Sequence, residues 1–316
     1  MSELLERLSA EFSLPMHDLV YLVRSAPYRY KVYQVDKRTP GQKRTIAQPA
    51  RELKPLQRWV VQNVLAEFPI HESAMAYRKN RNILDNASHH ARQRYLCKLD
   101  FKNFFPSIKA TDFERFMRSA SPAQQWTDEE IGYLSRILFW CKKRGKELEL
   151  SIGAPSSPMV SNILLYRFDL AVGALCANIG VTYTRYADDL TFSSNRPDVL
   201  QRIEKQIPRI CTSLGSPRLF LNRQKTVHAS QKGSRRVTGL VLTNDGLVSI
   251  GRDKKRIIRA TVHRYMSGSL PENEIASLVG VLAFVNSVEP AFLRRLAGQY
   301  GSATIRDLLA RRGSSG

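Results

Sequence analysis

Cysteine is scarce in this 316-residue chain, and its four copies, Cys97, Cys141, Cys176 and Cys211, never stand as a Cys-x-x-Cys pair. The six histidines add no zinc-ligand spacing beside them. No zinc module is signalled, and reduced, mostly buried thiols are expected. Long apolar runs are missing too. None reaches the roughly 18 residues of a membrane span, and the N-terminus lacks the layout of a signal peptide. The expectation is a soluble, cytoplasmic protein with no membrane partner. Internal repeats are absent. Acidic residues are in short supply, with 28 Asp+Glu against 49 Lys+Arg and a net charge of +21. Such an excess suits a polyanion, most often nucleic acid.

What is present argues for a folded chain. Hydrophobic residues make up 43% and aromatics 9%, which excludes wholesale disorder. The length accommodates one large domain or two to three subdomains. Residues 1–24 read as two short helices around the Ser13-Leu14-Pro15 break, and 28–49 as aromatic, basic strands. Leu53, Leu56, Val60, Val64 and Phe68 recur at helical steps over 51–68. Residues 95–100 form an apolar strand that ends in a carboxylate. A helical stretch near 110–142 follows, then a loop over 151–158 that opens a helix across 159–178, with Ser157 as cap and Pro158 at its first position. Strands flank Ala187-Asp188-Asp189. A helix over 197–214 turns Val199, Ile203, Ile207, Ile210 and Leu214 inward and stops at Gly215, with Pro208 an awkward guest inside it. Strands are expected over 218–228 and 235–250, with a turn at Asn244-Asp245-Gly246. From Asp253 the pattern is helical, with helices near 272–288 and 290–298. A flexible tail, Gly313 to Gly316, closes the chain. The order is that of an α+β protein with a helical C-terminal module.

With carboxylates so few, their placement is informative. Neighbouring residues of a strand point to opposite faces, so Asp188 and Asp189 aim at one spot only where a turn bends the chain. A hairpin tip between VTYTR and LTFSS does that. Asp100 ends its own apolar strand and belongs at a sheet end. Two unit charges about 4 Å apart repel by about 4 kcal/mol at an effective dielectric near 20, so three converging carboxylates require a cation. Hard oxygen ligands without Cys or His favour Mg²⁺, with Mn²⁺ as a substitute. Two such ions roughly 3.5–4 Å apart would activate a hydroxyl and stabilise a leaving pyrophosphate. A solvated turn and a cap are the plain alternatives for these aspartates.

The ordered set of segments resembles the reverse transcriptases, and more narrowly the bacterial retron reverse transcriptases, over about residues 25–300. Lys43-Arg44-Thr45-Ile46 and Leu53-Lys54-Pro55-Leu56-Gln57 resemble the first fingers block, and Ala76 to Arg81 the second. Asp100-Phe101-Lys102-Asn103-Phe104-Phe105 looks like motif A, Gly153 to Pro158 motif B, and Tyr186-Ala187-Asp188-Asp189 motif C. Leu221-Asn222 with Lys225-Thr226 is similar to motif D. Asn86-Ala87-Ser88-His89-His90 matches the retron N-A-x-x-H element, and Val237-Thr238-Gly239 the V-T-G triplet.

The resemblance implies a right-hand polymerase fold. Fingers and N-terminal helices would span 1–95, a ferredoxin-like palm 96–250 with a helical insertion about 110–150, and a helical thumb 251–316. It implies Asp100, Asp188 and Asp189 as catalytic carboxylates holding two Mg²⁺ ions, with the Phe101 carbonyl as a further ligand. Arg44 and Lys225 would meet the incoming triphosphate, a solvated charge being the alternative for each. Phe105 would exclude the ribose 2′-hydroxyl, with plain core as its alternative, and Gly153 would lie close to the template–nucleotide pair. Asn86, His90, Val237, Thr238 and Gly239 would contact nucleic acid, although a structural histidine at His90 stays equally open. Lys254, Lys255, Arg256 and Arg259 would grip duplex backbone, with Ile257, Ile258 and Val262 inward; a solvated face is the alternative there. Relatives often read Pro-Gln-Gly where this chain has Ser151-Ile152-Gly153, and Ile152 cannot hydrogen-bond a nucleotide sugar.

The implied partners are deoxynucleoside triphosphates, a cognate structured noncoding RNA and its RNA–DNA product. Priming would come from a 2′-hydroxyl, the product would be multicopy single-stranded DNA, and the role would be phage defence with an effector protein encoded nearby. A group II intron-like or diversity-generating enzyme, or an inactive RNA-binding palm protein, are the rival readings.

Overall fold

The computed structural model describes residues 2–36, 41–120, 126–142, 145 and 147–311. The expected flexible tail at 313–316 lies outside these. The chain groups into two compact units, each assembled from separated pieces. One comprises Met1–Lys79, Cys97–Phe192 and Pro197–Val227, and the other Asn80–Leu96, Ser193–Arg196 and His228–Gly316. Three contiguous segments were expected from the sequence. Compactness instead follows which strands pair, and the chain crosses between units several times.

The first unit is built on apolar strands. Thr182–Tyr186, Asp189–Ser194 and Tyr95–Asp100 lie side by side in that order. Cys97, Leu99, Tyr183, Leu190 and Phe192 are all buried, as befits strands covered on both faces. Helices Ser157–Leu164, Tyr166–Asn178 and Pro197–Leu214 supply further core from Val160, Phe168, Val172, Ile203 and Ile207. The last helix runs through Pro208 unbroken. The single helix expected over 159–178 is in fact two, meeting at 51° at Leu165. Its cap is Ser156 rather than Ser157, which places Pro158 second. No single helix among the described residues is long and apolar enough to cross a membrane.

At the N-terminus, helices Glu3–Phe12 and Met16–Ser25 flank the expected break, where Ser13 turns left-handed at φ 51°. The antiparallel ribbon Tyr30–Asp36 with Lys43–Pro49 is exposed along most of its length. Its inner end is fixed where the Ala47 amide donates to the Ile152 carbonyl at 3.0 Å. The helical stretch near 110–142 resolves into Ala110–Ala120 and Asp128–Leu138, and Trp140–Cys141 leaves it to pair with Leu148–Glu149. Over 218–228 the expected strand shrinks to Val227–Ser230. Upstream of it, Leu221 bridges Phe101, and Arg223–Lys225 is a 3₁₀ turn.

The second unit carries a three-stranded sheet, Arg235–Val237, Leu240–Leu242 and Val248–Ser249, and four helices. Helices Arg252–Met266, Glu272–Val288 and Pro290–Tyr300 match expectation, while Ser302–Ala310 was not foreseen. Ile258, Val262, Leu282, Val285, Phe292, Leu296 and Leu308 form its core. Glu289 pins three elements together. It accepts from Lys255 Nζ at 2.5 Å, Ser249 Oγ at 2.9 Å and the Ile250 amide at 3.2 Å. Removing one partner of a largely buried pair strands the other. Glu289→Ala is therefore expected to cost about 2–4 kcal/mol of stability, measured by urea denaturation of the whole chain.

Candidate active site

The end of strand Tyr95–Asp100 is held by main chain on both sides. The Asn222 amide donates to the Asp100 carbonyl at 2.7 Å and the Lys102 amide to the Phe220 carbonyl at 2.8 Å. On the other side the Phe101 amide donates to the Asp188 carbonyl at 3.1 Å. Ala187 turns that hairpin tip with φ 57°, a left-handed conformation that orients the two following carboxylates.

Asp100 is 8% exposed, and Asp188 and Asp189 are half-buried. Burial, then the charges of Asp189 and Asp100, push the Asp188 carboxyl up to about 6. Asp189 is raised chiefly by burial, with Lys98 opposing, and its carboxyl shares a hydrogen bond with Asp100. Lys225 Nζ donates to both oxygens of Asp100 at 2.9 and 3.0 Å. Three like charges are thus gathered in a half-desolvated place, with one ammonium in contact. All-oxygen donors with surplus negative charge fit a hard divalent cation.

A cavity of about 380 Å³ is lined by Phe105 and Gly153, together with Tyr77, Lys54, Arg58 and Ile152. Phe105 is half-buried with its ring against Phe104, so it is wall rather than core. Burial, then the charge of Asp188, pushes the Tyr77 hydroxyl above its ordinary value, with Arg44, exposed on its strand, opposing. Gly153 has φ +120°, and a Cβ there would meet Ile46 Cγ2 at 3.2 Å and the Ala47 carbonyl at 3.3 Å. The close approach it permits here is to the ribbon. Ser151 and Ser157, also in this wall, bury hydroxyls that find no partner among the described residues.

The family model described as reverse transcriptase (RNA-dependent DNA polymerase) matches residues 35–242. The chain belongs to the reverse transcriptase family. The retron Ec83 reverse transcriptase of Escherichia coli is 38% identical over 92% of this chain and 93% of its own length. The retron Ec86 enzyme of the same organism is 33% identical over 92% and 87%, and the retron Ec73 enzyme 32% over 88% and 89%. Within the family the chain is of the bacterial retron type, an RNA-directed DNA polymerase, and reverse transcriptases use divalent metal ions.

In the second unit of this reverse transcriptase, several residues expected to contact nucleic acid lie inside. Asn86 and Val237 are buried, and His90 is fully so, with Nδ1 2.7 Å from Ser193 Oγ. From these positions their side chains pack inside the unit. Val237-Thr238-Gly239 forms a two-residue hairpin turn, because Leu240 pairs with Val237 and both Thr238 (φ 45°) and Gly239 (φ 81°) are left-handed. That is a type I′ turn, and the Thr238 hydroxyl ties it to the Ile83 carbonyl at 3.3 Å. On helix Arg252–Met266, Lys254, Arg256 and Arg259 are exposed, as a phosphate grip requires. Lys255 is instead spent on Glu289 and the Phe292 ring, and Ile257 is 62% exposed where an inward position was expected.

Two pH dependences follow. Protons would compete with a metal held by Asp188, so Mn²⁺ affinity of the substrate-free enzyme, measured by calorimetry, is expected to fall by up to about tenfold per pH unit below about 6, with proton release on binding near that pH. Burial holds His90 down at about 3, below its ordinary 6.5. The folded state thus refuses a proton that the unfolded chain accepts. Stability is full above about 6.5 and is lost toward pH 3 by up to about 1.4 kcal/mol per unit, a slope that His90→Gln reduces in denaturation series.

Proposed function

We propose that this enzyme copies part of its own structured noncoding RNA into multicopy single-stranded DNA, priming from a 2′-hydroxyl, and that it serves phage defence with an effector encoded nearby. The observation that carries this reading is the similarity to retron reverse transcriptases over more than nine-tenths of both chains. The Asn86–His90 and Val237–Gly239 elements support it. The chemistry belongs to Asp100, Asp188 and Asp189, gathered at one sheet end, with the Phe101 carbonyl as a further ligand. Mg²⁺ ions bound there supply a lowered pKa for the attacking hydroxyl and charge compensation for the leaving pyrophosphate.

The other roles follow from position. Lys225 neutralises Asp100, and its flexible stem also reaches phosphates bound beside that carboxylate. Arg44, whose charge acts on Tyr77, meets the triphosphate from the ribbon. Phe105 closes the cavity wall against a ribose 2′-hydroxyl, which selects deoxynucleotides. Lys254, Arg256 and Arg259 hold duplex backbone, so affinity for a primed RNA drops steeply with salt.

The test is extension of primed RNA with deoxynucleotides and Mg²⁺, together with sequencing of the nucleic acid that copurifies with the enzyme. A branched RNA–DNA species from one structured transcript is expected. Asp188→Asn should reduce extension by about 10³-fold or more, and equal extension would remove Asp188 from the chemistry. Phe105→Ala should admit ribonucleotides with at least about tenfold loss of discrimination, read from kcat/KM for paired nucleotides. Copurified RNA of random sequence would overturn the retron reading while leaving the polymerase intact.

A further inference from the structure

We propose that Arg185 is a positioning residue that fixes the Asp188–Asp189 turn from beneath. The proposal rests on the two-metal reading of those carboxylates. Arg185 and Asp169 are both fully buried. Nε of Arg185 donates to the two Asp169 oxygens at 2.9 and 3.1 Å, and an η nitrogen to one of them at 2.6 Å. Tyr183 donates its hydroxyl to Asp169 at 2.7 Å. The other η nitrogen leaves the pair. It donates to the Ala187 carbonyl at 3.2 Å and to Asn162 Oδ1 at 3.2 Å.

Stability alone is a weak explanation for this cluster. Burying two charges costs several kcal/mol per ion in desolvation, and apolar residues of similar volume often serve as well or better. Direction is the better explanation. Ala187 holds φ 57°, which a residue with a Cβ adopts at a cost of roughly 1–2 kcal/mol, and its carbonyl immediately precedes Asp188. A guanidinium clamped by Asp169 supplies a donor at a fixed place for that carbonyl. The backbone of Arg185 is itself immobilised, since its amide donates to Ser73 at 2.7 Å and its carbonyl accepts from Met75 at 2.8 Å. Asn162 extends the chain of bonds, with Nδ2 donating to the Ala76 carbonyl at 3.0 Å, next to Tyr77 in the cavity wall. Lysine offers no second arm and cannot hold Asp169 and Ala187 together.

The test separates direction from stability. In Arg185→Met/Asp169→Leu/Tyr183→Phe, the cluster becomes apolar at similar volume and the chain should stay folded. Calorimetry without substrate should then show about 10–100-fold weaker Mn²⁺ binding than wild type. Hydrogen exchange at residues 187–189 should accelerate about tenfold relative to the rest of the sheet. Arg185→Lys should behave alike, and adding Ala187→Gly, which removes the Cβ penalty, should restore part of the affinity. Variants that fold yet bind Mn²⁺ and protect the turn as wild type does would overturn the proposal. So would loss of folding in both variants, which would assign the cluster to stability. A wild type whose Mn²⁺ binding is indifferent to Asp188→Asn would instead overturn the two-metal reading.

Discussion

Repulsion among Asp100, Asp188 and Asp189 is the constraint around which the first unit is organised. Burial first, and then the charges of Asp189 and Asp100, push the Asp188 carboxyl up to about 6. Left to themselves, such groups would splay into solvent. The fold opposes this with main chain, because amides of Phe101, Lys102 and Asn222 lock the strand end and the hairpin tip in place. It adds charge with Lys225, which contacts Asp100, and Lys98, which opposes the rise at Asp189. The result is a site strained electrostatically and firm mechanically, and a divalent cation relieves the first without needing to create the second.

Much of this was legible in the sequence because it is local. YLCKLD alternates too little to be an exposed strand and ends on its carboxylate, and Tyr186-Ala187-Asp188-Asp189 sits between two strand-like runs. What was not legible depends on partners remote in sequence. Lys225 meets Asp100 across 125 positions, and Lys255 meets Glu289 across 34, so a lysine read as a phosphate contact proved to be a core ion pair. Arg185 reads as one basic residue in a strand, and only its fully buried neighbours reveal its task. Leu165 carries no breaker, so the 51° bend between its two helices had no local signal.

The retron-type elements of the second unit show how a sequence signature and a contact can part company. Asn86, His90 and Val237 lie inside, and Thr238 with Gly239 makes a turn whose geometry demands left-handed residues. A β-branched Thr is a poor occupant of such a place, and its hydroxyl compensates by bonding Ile83. These residues define the shape of the unit. What that shape displays includes the exposed Lys254, Arg256 and Arg259.

The bond between the Ala47 amide and the Ile152 carbonyl, with Gly153 pressed against Ala47, welds the root of the exposed ribbon to the cavity loop. A lever arm and the floor it swings over are then one body. Tilting the ribbon that bears Arg44 must drag the loop that carries Ser151 and Gly153. Motion of the tip and the shape of the cavity are thereby geared together.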